Sequence, residues 1–184
     1  MVALTSSWAR RLALMCAIAL AGPTALYAQS IDVTPLARDG QLYVSFEVRD
    51  AFTDDMRAAI ASGLKTTFAY DIQLRRASTI WVDRTLDEVR VMVEVRYDNL
   101  TRRYQVSMMQ DGRVAEARVT ENPDEVRSWA TEFRRLPLFS TRRLEPNAEY
   151  YLRIRAETKP RNSWVLLPWD RAAAFGIAKF TFLP

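Results

Sequence analysis

Histidine is absent from this 184-residue chain, cysteine occurs once, and glycine is held to 5 residues. Each scarcity closes something. The single cysteine, Cys16, sits inside an apolar N-terminal run, so removal of that run leaves no thiolate nucleophile and no disulfide framework. Without imidazole there is no Ser-His-Asp triad, no histidine general base and no His/Cys zinc or haem site. No cofactor and no metal ion are expected. Few glycines, with 8 prolines in a chain that is 49% hydrophobic, exclude collagen-like, low-complexity and wholly disordered readings. No apolar stretch approaches the roughly 20 residues that a membrane-crossing helix needs, so the mature chain is expected to carry no transmembrane span.

What is present begins with Arg10 and Arg11, the apolar run Leu12 to Ala21, the breaker pair Gly22-Pro23, and a small-residue ending at Ala28. That order of basic, apolar and small residues predicts a secretory signal peptide over 1–28, cleaved after Ala28. Residues 29–184 are then one domain, periplasmic or secreted. Met15 stands before Cys16 where a lipoprotein signal needs a small side chain, so no lipid anchor is expected. Losing Arg10 and Arg11 lowers the formal charge of +4 by two. So slight a basic excess gives no field that demands a polyanion, and nucleic acid is not an expected partner.

Period-two alternation dominates the rest, as in strands with one buried and one solvated face. It runs through Leu42, Val44, Phe46 and Val48; through Phe68, Tyr70, Ile72 and Leu74; through Val89, Val91, Val93 and Val95; and through Tyr104, Val106 and Met108. Further strands are expected over Arg113 to Thr120, Tyr150 to Thr158 and Ile177 to Phe182, with Ile31 to Leu36 an edge strand because it contains Pro35. Asp39-Gly40 and Asp111-Gly112 mark hairpins. One short helix is predicted over Thr53 to Ser62, capped by Thr53 and stopped at Gly63. A second is capped by Asn122, with Pro123 in its first turn and Val126, Trp129, Ala130 and Phe133 along one face. With no repeat and no linker, the predicted fold is a mainly β, antiparallel β-sandwich of seven or eight strands with two short helices on connections. An outer-membrane barrel also alternates, but it joins strands through turns and loops rather than amphipathic helices.

Four segments invite a chemical reading. Ser62-Gly63-Leu64-Lys65 has Ser-x-x-Lys spacing, yet that chemistry needs both residues on one helical turn, and here Gly63 ends a helix. Asp83, Asp87 and Glu88 fall near a turn after Trp81, without the glycine and alternating ligands of a calcium loop. Leu136, Pro137, Leu138 and Phe139 are bracketed by Arg134, Arg135, Arg142 and Arg143. Such guanidinium forks could meet phosphate, carboxylate or an acidic partner; the plainer account is a helix end followed by a loop that tucks the apolar residues into the core. Trp164 and Trp169 flank a segment too apolar for an idle loop, either a plug at one end of the sandwich or a ligand or partner surface.

The segment order resembles the domain-of-unknown-function 4390 (DUF4390) family of secreted bacterial proteins. The likeness rests on Ala59-Ile60-Ala61-Ser62-Gly63-Leu64 leading into Thr67 to Leu74, on Trp81-Val82-Asp83, on Arg96-Tyr97-Asp98-Asn99-Leu100-Thr101-Arg102-Arg103-Tyr104, and on Leu144-Glu145-Pro146 before Tyr150 to Arg155. It thins beyond Lys159. The resemblance brings no catalytic residue; it implies an accessory role in the bacterial envelope, at the outer face of a membrane sensor kinase. The expected function is therefore an exported, non-catalytic interaction module that docks an envelope protein partner. The alternatives are a periplasmic carrier of an apolar or lipid-like ligand and a histidine-independent hydrolase.

Overall fold

The computed structural model describes residues 31–49, 51–77, 84–160 and 174–183. The predicted leader and the Trp164 to Trp169 segment lie outside them. In chain order the elements are β1 (Ile31–Arg38), β2 (Gln41–Val48), α1 (Asp54–Ala61), β3 (Thr66–Arg76), β4 (Arg84–Asp98), β5 (Arg103–Gln110), β6 (Arg113–Thr120), α2 (Pro123–Thr131), β7 (Glu132–Ser140), a 3-10 turn (Thr141–Arg143), β8 (Glu149–Pro160) and β9 (Ala174–Thr181). They form two open sheets, ordered β1-β2-β7 and β6-β5-β4-β3-β8-β9. Every ladder is antiparallel. The protein is a mainly β sandwich with two helices on its connections, and not a closed barrel.

Local chemistry explains the turns. Asp39 and Gly40 both take positive φ, 51° and 75°, and Asp111 and Gly112 take 48° and 79°, the paired left-handed geometry that two-residue hairpins require. Thr53 caps α1 by accepting from the Met56 N–H, and Asn122 caps α2 by accepting from the Asp124 N–H.

Inward alternation builds the core. Leu42, Val44, Ile72, Val91, Val93, Val95, Leu152 and Ile154 are fully enclosed between the sheets. Aromatic contacts join the layers: Phe46 of β2 stacks on Phe133 of β7 at 4.4 Å, and both meet the edge of Tyr70 on β3, at 5.4 and 5.0 Å. On one side β1 crosses close over β9. A Cβ on Gly176 would lie 2.7 Å from both the Cβ and the carbonyl oxygen of Ile31, so only glycine permits that approach.

One element departs from expectation. The residues from Glu132 to Ser140, read as a helix end followed by a loop, form strand β7 along β2. The helix stops at Thr131, so Phe133 belongs to the sheet and not to the helical face. The strand is irregular. Its register against β2 shifts twice, and at one shift Arg134 and Arg135 together face Ser45, with Arg135 at φ 51°. Two residues opposite one is a β-bulge. With Pro137 and exposed arginines it also blunts this sheet edge against stray pairing. Two of the three acids are corrected as well: Asp87 and Glu88 are in β4, not in a turn, while Asp83 lies outside the described residues.

Candidate functional site

The three-stranded sheet is too narrow for the six strands opposite. Through β1 it meets β9 and β8, and through Phe46 and Phe133 it meets Tyr70 of β3, while β5 and β6 are left overhanging. Nothing in β6 is buried. Helix α2 packs back onto this overhang, held by Tyr70, whose buried phenol donates to the Ala130 carbonyl. That carbonyl belongs to the last helical turn, where the backbone has no partner of its own. Burial pushes the Tyr70 phenol far above its ordinary range, so it stays a neutral donor.

Between α2, β7 and the overhang lies a half-open cleft of about 470 Å³. Val93 of β4 and Val106 and Met108 of β5 form its floor, Phe133 and Leu136 of β7 one wall, and Trp129 of α2 another. Two ion pairs rim it: Arg118 with Glu116 on β6, and Arg134 with Glu132 on β7 at 3.6 Å. The Arg118 guanidinium lies 4.7 Å over the Trp129 ring, a cation–π contact that ties the overhang to the helix. The arrangement is a greasy slot with charges at its mouth, able to take an apolar group and orient it through guanidinium hydrogen bonds.

The four arginines singled out from the sequence do not converge. Arg134 rims the cleft, with its side chain 87% exposed. The backbone N–H of Arg135 donates to Ser45 Oγ at 3.0 Å. Arg142 and Arg143 are exposed in the 3-10 turn, where the Thr141 N–H bonds the Gly40 carbonyl at 3.0 Å, beside the far hairpin. At about 3.3 Å per strand residue the two pairs stand on the order of 20 Å apart, so no single anion spans them.

The other sequence candidates are structural. Ser62 is the C-cap of α1 and donates to the Ala59 carbonyl, while Lys65 pairs with Glu94. Asp87 accepts from the Glu88 N–H, and Glu88 accepts from Gln73. As successive strand residues their carboxylates point to opposite faces. Among the described residues no group of three or more His, Cys, Asp or Glu side chains is placed to hold a metal ion. Trp164 and Trp169 are outside the described residues.

Glu116, Arg118 and Met108 were not singled out from the sequence, and Trp129 was read only as part of the helix's packing face. A signal was there. Glu116 and Arg118 stand opposite Met108 and Val106 and so share the cleft face, whereas Val119, opposite Gln105, shares the outer one. Val114 and Val119 are 66% and 60% exposed. A strand with charges inside and valines outside is not made to lie on a core.

Two of the segments that carry the family likeness set turns away from the cleft, and Trp81 to Asp83 lie outside the described residues. Asp98 accepts from the N–H groups of Leu100 and Thr101 in the β4–β5 turn, which holds its carboxyl below the usual range. Arg76 and Glu145 make a two-pronged pair at 2.6 Å that lowers the Glu145 pKa and raises that of Arg76. The Tyr150 hydroxyl accepts from the Glu145 N–H at 2.8 Å. These contacts set two turns and reach no cleft.

Comparison with curated proteins and with solved structures gives no match. A family model does match, over residues 27–162, which takes in every described element except β9. The chain belongs to the DUF4390 family, a domain of unknown function.

Proposed function

We propose that this protein is an exported, non-catalytic interaction module of the bacterial envelope, which receives an apolar segment of a protein partner in the cleft beside α2. One observation carries the reading: the cleft between α2, β7 and the overhang stays half open, with Met108, Trp129 and Leu136 only partly buried above Val93 and Val106, under a rim of Arg118 and Arg134. A half-open slot suits a side chain presented by a larger surface. A carried small molecule is ordinarily enclosed over about 70–90% of its own surface, whereas this cleft is half open and the buried side chains between the sheets form one hydrophobic cluster among the described residues. An accessory role at the outer face of a membrane sensor kinase fits this reading, with secretion through the leader at 1–28.

The test is capture from envelope extracts on immobilised protein. Ser128→Arg, which fills the cleft, should lower the yield of a stoichiometric protein partner more than tenfold, while Gln73→Arg on the outer sheet face leaves it unchanged. Arg134→Ala should weaken capture, and Arg142→Ala with Arg143→Ala should not. A lipid-like molecule in the native mass spectrum, lost in Ser128→Arg, moves the reading to the carrier. Equal capture by Ser128→Arg and wild type removes the cleft from consideration.

A further inference from the structure

Strand β6 ends the larger sheet, and no strand lies on its far side among the described residues. Its alternate N–H and C=O groups therefore face outward, a template for a further strand. The edges of the smaller sheet are guarded, β1 by Pro35 and β7 by Pro137 and its bulges, and at the far edge of the larger sheet β1 packs closely on β9 at Gly176. We propose that β6 pairs with β6 of a second copy of this chain, antiparallel, about a two-fold axis at Ala117.

Charge selects that register. An axis through Ala117 sets Glu116 directly opposite Arg118 of the other copy, and Arg118 opposite Glu116, on the same sheet face. Opposite charges across a ladder are favourable and like charges are not. Moving the axis to Glu116 sets two carboxylates against each other, and moving it to Arg118 sets two guanidinium groups together. An axis between Glu116 and Ala117 sets cleft-facing side chains opposite outward-facing ones.

The bulge in β6 supports the same register. Against β5, Glu116 pairs with Met108 and Val114 with Met109, so Ala115 is the extra residue. Carried across the new edge, that one-residue skip brings Val114 opposite Val119 of the other copy on the outer face. The two large exposed apolar side chains of this strand thus cover one another, twice over. Continuing the ladder also brings the second copy's Arg118 and Glu116 to the rim of each cleft.

Sedimentation of the purified chain over a range of concentrations tests the pairing. Wild type should be a dimer at the upper end, and Glu116→Arg or Arg118→Glu alone should raise the dissociation constant at least tenfold. The double exchange Glu116→Arg with Arg118→Glu restores complementarity and should restore the dimer. On a Cys16→Ser background, Ala117→Cys should oxidise to a covalent dimer and Ala115→Cys should not. Wild type that stays monomeric throughout, a folded double exchange that stays monomeric, or equal cross-linking at 115 and 117 overturns the proposal, as does cross-linking of β6 to a different envelope protein alone. The cleft reading is separable: a monomer that still loses its partner on Ser128→Arg refutes the pairing and leaves the cleft standing.

Discussion

The two halves of the larger sheet share one hydrogen-bonded lattice and differ in what lies over them. Over β3 and β8 the second sheet closes, and Ile72, Leu152 and Ile154 lose all contact with water. Over β5 and β6 only α2 returns, and every β6 residue keeps solvent contact. Backbone pairing is thus not what separates the closed half from the open one; burial is. The covered half buries its inward apolar residues throughout, whereas the open end buries Val106 but leaves Val114 and Val119 largely exposed.

If that division holds, substitutions in the two halves should differ sharply. Leu152→Ala empties space between the sheets and should cost about 2–5 kcal/mol in urea unfolding. Val119→Ala on the overhang, at high dilution, should stay within about 0.5 kcal/mol; similar losses at both sites would dissolve the contrast. Next in size is Gly176→Ala. Its new methyl meets the Ile31 carbonyl oxygen and Cβ as well as Val33 Cγ2, and the backbone oxygen cannot swing aside as a flexible side-chain end would, so a loss of about 1–3 kcal/mol is expected, with faster amide exchange in β1 and β9.

Tyr70→Phe sharpens the boundary, because this hydroxyl joins the covered half to the helix over the overhang. Leaving the Ala130 carbonyl buried and unpartnered should cost about 1–3 kcal/mol and speed exchange in α2 before the rest. Smallest is the acid response of the β4–β5 turn. Asp98 has a depressed pKa in the folded state, so its contribution is present above the ordinary carboxylate value of about 4 and is lost as pH falls through the lower, folded value. Asp98→Asn should therefore reduce the rise in unfolding midpoint between about pH 3 and pH 7. An unchanged rise would assign that response to other carboxylates.

Much of the fold was legible because it is written locally. The Asp-Gly pairs, the Asn122-Pro123 start and the valine alternation in β4 each follow from a short-range rule. Strand β7 was not. Phe133 continues the helical spacing of Val126, Trp129 and Ala130, and Pro137 among arginines looks like a loop; pairing with β2, distant in sequence, overrides both. The cleft was illegible for the same reason. Its residues come from β4, β5, β6, α2 and β7, and its opening arises because one sheet has three strands and the other six, a mismatch that no window of sequence contains. Only the inverted pattern of β6 hinted at it.

The claim that association belongs to the overhang is tested most directly in living cells by placing a photo-crosslinking phenylalanine analogue at single positions across both halves. The account predicts discrete protein adducts from Trp129, Met108 and Val119, and none from Gln73 or Ile177 at the covered end. Adducts concentrated at Gln73 and Ile177, with the cleft and β6 positions silent, would contradict it.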